Sequence, residues 1–280
     1  MITHVVEWFV RAALMALGTA AVLRLLRIRG AVACHMAWTV VLAFMLLMPV
    51  WTAWGPKVAM PVVPEAGLST FDPILPENIS LQPLAATATP SVAAPQPLSA
   101  PASPEPPSGW PWLWIALGCY AAVATAMLAR LAAGTLRARA IIRRATADDG
   151  VLTSLDCAVP VTVGWLHPVI VLPPNWRDWP AGELDAVLVH EREHVRRRDP
   201  LVQWLALLNR ALFWFHPLAW WLERKLAALA EDACDAAVLR RGHDPRAYSE
   251  YLIDLARAVR RAGARVPVWG AAIDGGGLAA

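Results

Sequence analysis

Three apolar runs decide most of what this chain can become. Trp8 to Leu26, Ala31 to Trp54 and Trp110 to Leu131 hold 19, 24 and 22 residues. About 20 apolar residues in helical form cross the hydrocarbon core of a bilayer. Backbone amides find no water there, so each run is expected to close its own hydrogen bonds as a helix. The composition agrees, with 57% hydrophobic and 17% charged residues, where ordinary globular proteins carry roughly 45–50% and 25%. The start, MITHVVE, contains Glu7 and no cation. That is unlike a signal peptide, so the first run is expected to stay as a span.

The flanks of the runs predict orientation. Arg24, Arg27 and Arg29 crowd the turn after the first run, and Arg130, Arg137, Arg139, Arg143 and Arg144 follow the third. Basic flanks stay inside, which predicts an outer N-terminus. Trp51, Trp54, Trp110, Trp112 and Trp114 gather at the opposite ends, as an outer aromatic belt does. His35, near the inner end of the second run, is read as packed or facing the interface.

Between the second and third runs, residues 55–109 hold thirteen of the 24 prolines, mixed with Ala, Ser and Thr. Such a stretch lacks backbone donors and apolar surface for a core and is read as a disordered outer loop. A net charge of +3 with no aromatic-interleaved basic stripe excludes a nucleic-acid reader. The four cysteines are scattered without a CxxC pair, which argues against a disulfide framework or a cysteine zinc site.

After the third run, RARAIIRRA reads as a basic helix on the membrane surface. Val159, Val161 and Val163 alternate, a turn spans Gly164 to Pro168, and VIVL follows: a β-hairpin. A helix is predicted from about Ala181 to Arg198, stopped by Asp199-Pro200. On it stands VLVHEREHV. His190 and His194, four apart, lie on one helical face and can reach one ion, while Glu191 sits about 100° round, able to hold a water without ligating. Two histidines call for a third protein ligand. Downstream stand His216, Glu223, Glu231, Asp232, Asp235 and His243; Glu231 and Asp235 are one turn apart on a predicted helix. Leu201 to Trp221 is long enough to cross once, which would put Glu231 on the wrong side. Arg210 at its centre and Pro217 near its end split it instead into a bent, membrane-apposed or re-entrant pair of helices.

VGWLHPVIVLP, VLVHEREHVRRRDP and LFWFHPLAWWLERKLAALAEDACDAAVL, in this order, resemble the BlaR/MecR-type family of bacterial integral-membrane zinc metallopeptidases, those of the β-lactam sensor-transducers. The resemblance runs from the first span to about Arg261. It implies a mainly α membrane protein with three transmembrane helices and a cytoplasmic gluzincin-like α+β peptidase domain. It further implies Zn2+ held by His190, His194 and Glu231, Glu191 as general base, and Asp235 as the carboxylate behind a ligand. The hairpin's Val161, Val163 and Gly164 would offer substrate an edge strand. Receptors of this family carry a further span and an outer ligand-binding domain; none is expected here, so penicillin sensing is not carried over.

The expected organisation is two spans in 1–54, the outer loop 55–109, a third span 110–133, a zinc domain 134–261 with membrane-apposed helices at 201–222, and a tail 262–280. The expected activity is cleavage of a cytoplasmic or juxtamembrane polypeptide, a transcriptional repressor or the chain itself, by a multi-pass inner-membrane protein in contact with lipid. Two rivals stand beside it: a quality-control or prenyl-protein protease with the same site, and a non-catalytic receptor or scaffold whose zinc only ties helices together.

Overall fold

Helices form where the apolar runs lie. The computed structural model describes residues 2–54, 111–148 and 150–262; the Pro-rich loop and the chain beyond 262 lie outside the described residues. Helix α1 (Ile2–Leu25), α2 (Ala31–Trp54) and α3 (Pro111–Arg144) are each long and apolar enough to cross a membrane. Leu14, Leu17, Leu25, Val40, Leu47 and Ile115 are exposed on their outer surfaces, as side chains facing lipid would be. The fold is mostly helical, with a small mixed sheet.

The 34 residues of α3 amount to roughly 50 Å at 1.5 Å per residue, well beyond the ~30 Å core of a bilayer. The expected separate surface helix, RARAIIRRA, is therefore the last turns of α3. No Pro or Gly interrupts it after Gly134, so nothing ends the helix at the expected 133/134 boundary. Ile141 in this stem enters a core with Val159, Val161, Val163 and Val171.

The hairpin joins β3 (Val161–Val163) to β4 (Val169–Leu172), antiparallel with Val161 opposite Val171. It is half of a larger sheet. Strands β1 (Thr146–Asp148) and β2 (Val151–Thr153) complete the order β1-β2-β4-β3, with β2 parallel to β4. Three-residue strands carry too little alternation to be seen in a string. Strand β3 is left at an edge.

Helix α4 (Ala181–Arg197) ends where Arg198 turns left-handed (φ 55°), and α5 (Asp199–Leu212) starts at once with Pro200 in its first turn, where a missing N–H is harmless. After a break at 213–216, α6 (Pro217–Arg240) runs back along α5, and α7 (Pro245–Ala262) follows. The α5–α6 hairpin packs against α2 through Trp38, Leu42 and Met45, one turn apart, set on Ala206, Ala219, Leu222 and Leu226. Its tip meets α3 where the Tyr120 hydroxyl donates to the Leu212 carbonyl (3.0 Å), and α1 where the His216 ring stacks on Phe9 at 4.0 Å. Phe9 and Tyr120 lie in the halves of their helices remote from the Arg-rich turn, so the hairpin reaches far along the bundle. Arg210 is buried midway, its Nη1 3.4 Å from Glu223 Oε2 and its guanidinium over the Trp220 ring at 4.8 Å. A charge among apolar helices persists only with such partners.

Candidate metal centre

Helix geometry puts His190 and His194 on one face of α4, and the antiparallel packing of α6 on α4 brings Glu231 opposite them. The two Nε2 atoms are 3.2 Å apart. Glu231 spans the pair, with Oε2 3.4 Å from His190 Nε2 and Oε1 3.5 Å from His194 Nε2. Tetrahedral zinc with bonds of about 2.0–2.1 Å holds its ligand atoms roughly 3.3 Å apart. The two ring nitrogens have the spacing of two such ligand atoms, and Glu231 stands across them with one carboxylate oxygen facing each ring.

The outer ring nitrogens are also held. His190 Nδ1 lies 3.2 Å from Asp235 Oδ1 and 3.1 Å from the Tyr248 hydroxyl, which itself donates to Asp235 Oδ1 at 2.8 Å. His194 Nδ1 donates to Asp199 Oδ2 at 2.8 Å. Each imidazole thus has its own carboxylate, which fixes the tautomer that turns Nε2 inward. Burial alone would favour neutral His190, but Asp235 and Glu231 outweigh it and hold its pKa up to about 10.

Glu191 is buried beside the pair, and its Oε2 accepts a hydrogen bond from the Thr162 hydroxyl at 2.5 Å. Alternation explains the contact. Val161 and Val163 turn into the core behind the sheet, and Thr162 between them faces α4. Of the three expected edge residues, Val161 and Val163 commit their side chains to that core, leaving their backbone for pairing. Gly164 turns the chain at φ +97°.

The remaining third-ligand candidates lie elsewhere. His216 caps α6 at the hairpin tip, Glu223 faces Arg210, and His243 pairs with Asp185 at 3.1 Å; Asp232 lies on the exposed face of α6. Several residues near the centre gave no signal as site residues in the sequence. Asp199 reads as a helix stop, because its partnership with His194 depends on the left-handed turn at Arg198. Cys234, one turn from Glu231, has its sulfur within 4.8 Å of ligand atoms of both histidines. The scattered cysteines argued against a cysteine zinc site, yet the fold brings this one beside the histidine pair. Burial pushes the Cys234 thiol well above its ordinary range despite Arg197, whose Nη2 donates to the sulfur at 3.0 Å. Arg197 also donates to the Ala230 carbonyl at 2.9 Å, so it ties α4 to α6 instead of only answering the helix dipole.

His190, Glu191, His194, Asp199, Glu231 and Asp235 line a cavity of about 670 Å3. Val159 and Pro160 form one wall, Leu226 and Ala227 another, and Leu252 and Leu255 of α7 a third. Tyr251 also lines it; its hydroxyl has no partner among the described residues, and burial together with the Glu191 charge pushes its pKa up, so the phenol keeps its proton.

A family model described as BlaR1 peptidase M56 matches residues 4–273. The chain is similar to the Regulatory protein BlaR1 of Bacillus licheniformis, with 37% identity over 81 residues. That stretch is 29% of this chain, and it spans only 14% of the length of the relative.

Proposed function

Since the chain belongs to the BlaR1 peptidase M56 family, we propose that it is a membrane-anchored zinc endopeptidase with a gluzincin-like centre that cleaves a cytoplasmic or juxtamembrane polypeptide. The spacing of His190, His194 and Glu231 is the observation that carries this reading. These three would hold the zinc, with Asp235 and Asp199 behind the histidines. When bound, zinc supplies Lewis-acid chemistry, polarising a scissile carbonyl and making water acidic.

The chain's own residues do the rest. Thr162 holds Glu191 by Oε2, which leaves Oε1 to take a proton from the attacking water and return it to the leaving amine. Tyr251, kept protonated, is the donor for negative charge developing on the carbonyl oxygen. The edge of β3 pairs with an extended substrate backbone, and the apolar cavity walls take its side chains.

His35, the fifth residue of α2, approaches Asp199 at 4.0 Å, so the cavity lies on the side of the Arg24–Arg29 turn. The positive-inside rule then favours a cytoplasmic zinc domain in the inner membrane and an outer N-terminus. A repressor or the chain itself is the substrate class the family suggests.

Glu191→Ala tests the reading in purified full-length protein. Hydrolysis of an unstructured fluorogenic peptide should fall about 10²–10⁴-fold with zinc content unchanged. Wild-type turnover by the variant would overturn the mechanism.

A further inference from the structure

His35 is a polar residue inside an apolar span, and such residues are expensive there unless they serve the protein. It is 6% exposed and lines the same cavity as His190, Glu191 and His194. What it faces is Asp199, whose Oδ1 lies 4.0 Å from His35 Nε2.

Asp199 is equally buried, at 6% exposed, and holds three things together. Its Oδ2 accepts from His194 Nδ1 at 2.8 Å and from Arg197 Nη2 at 2.5 Å, and its Oδ1 accepts from Arg197 Nε at 3.2 Å. Arg197 in turn is pinned to the Ala230 carbonyl and to Cys234, on the turns of α6 that carry Glu231. One carboxylate therefore connects the ring of a candidate ligand, the helix bearing the other ligand and a residue of a membrane span. The ring of His194 can aim Nε2 at the ion position only while Nδ1–H is held.

We infer that Asp199 is a positioning residue for His194, and that His35 braces Asp199 from within α2, so that a membrane-spanning helix takes part in setting metal affinity. The inference rests on His190, His194 and Glu231 being the ligand set. It gives the membrane bundle a physical handle on the centre: because α2 packs directly on α5 and α6, a shift of α2 moves His35 against Asp199 and so alters the aim of one ligand.

The test is the dissociation constant for Zn2+, measured by competition with a fluorescent chelator on the full chain in lipid nanodiscs. Asp199→Asn keeps shape and an acceptor for Arg197 but loses the charge; it should weaken Zn2+ binding on the order of 10–100-fold. His35→Leu should weaken it as well, and His35→Gln, which restores a donor, should recover part of the loss. The melting temperature of the metal-free protein separates positioning from general stability: it should stay at the wild-type value in both His35 variants. Asp199→Asn, which leaves the buried Arg197 short of its counter-charge, should lower it by a fixed amount that His35→Leu does not share. The stabilisation given by zinc should shrink in Asp199→Asn and His35→Leu and recover in part in His35→Gln. A metal-free melting temperature that falls in step with affinity in the His35 variants would overturn the positioning role. A wild-type dissociation constant for Asp199→Asn, with Glu231→Ala losing zinc, would sink the relay and leave the ligand set standing. If Glu231→Ala also binds like wild type, the ligand set itself fails. His35→Leu with unchanged affinity removes the span from the relay.

Discussion

Cys234 separates a catalytic centre from a closed structural one. A fourth protein ligand would fill the position that water needs, and zinc would then only join helices. The sulfur accepts from Arg197 Nη2 at 3.0 Å, and burial raises the pKa of the thiol in the metal-free chain, so we expect it to serve Arg197 as an acceptor and leave the fourth position open. Cys234→Ser, which keeps an acceptor for Arg197, should retain zinc at the wild-type stoichiometry and near wild-type turnover. Loss of the metal in this variant, read by elemental analysis, would favour the scaffold reading. At this scale the sequence reveals the residues whose spacing is itself geometric: His190, Glu191 and His194 within one turn of helix, Glu231 and Asp235 within another. Asp199, Thr162 and Tyr248 stayed silent, because each reaches the site only through a break, a strand face or a separate helix.

Two elements carry their own constraints. Gly164 closes the β3–β4 turn at φ +97°, and a Cβ there would stand 2.6 Å from the His167 carbonyl oxygen. Gly164→Ala should cost about 1–3 kcal/mol, seen as a lower melting temperature, and should loosen the strand that carries Thr162. The α5–α6 hairpin depends on Arg210 facing Glu223 in its interior. Glu223→Ala leaves a buried guanidinium short of a counter-charge and should destabilise by roughly 3–5 kcal/mol, whereas Arg210→Met with Glu223→Leu should lose far less. Equal melting temperatures for the single and double variants would refute that account. The hairpin itself was foreseeable from Arg210 and Pro217. The continuity of α3 through its basic end was not, since a change of composition resembles a boundary while the backbone runs on unbroken.

For the molecule as a whole, the decisive matter is sidedness. With the native cysteines replaced by Ser, an impermeant thiol reagent should label Thr3→Cys on intact cells and reach Gly30→Cys only after permeabilisation. The reverse pattern would overturn the proposed orientation and with it a cytoplasmic substrate. The sequence by itself determined the three apolar helices, the basic flanks and the HExxH turn, because helix period, span length and charge asymmetry are local and survive in a string. Only the tertiary structure decided that α6 returns Glu231 to α4, that Thr162 meets Glu191, and that a span places His35 beside Asp199. Those contacts join residues 29 to 164 positions apart, and what makes them is the burial of one helix against another, which no local pattern encodes.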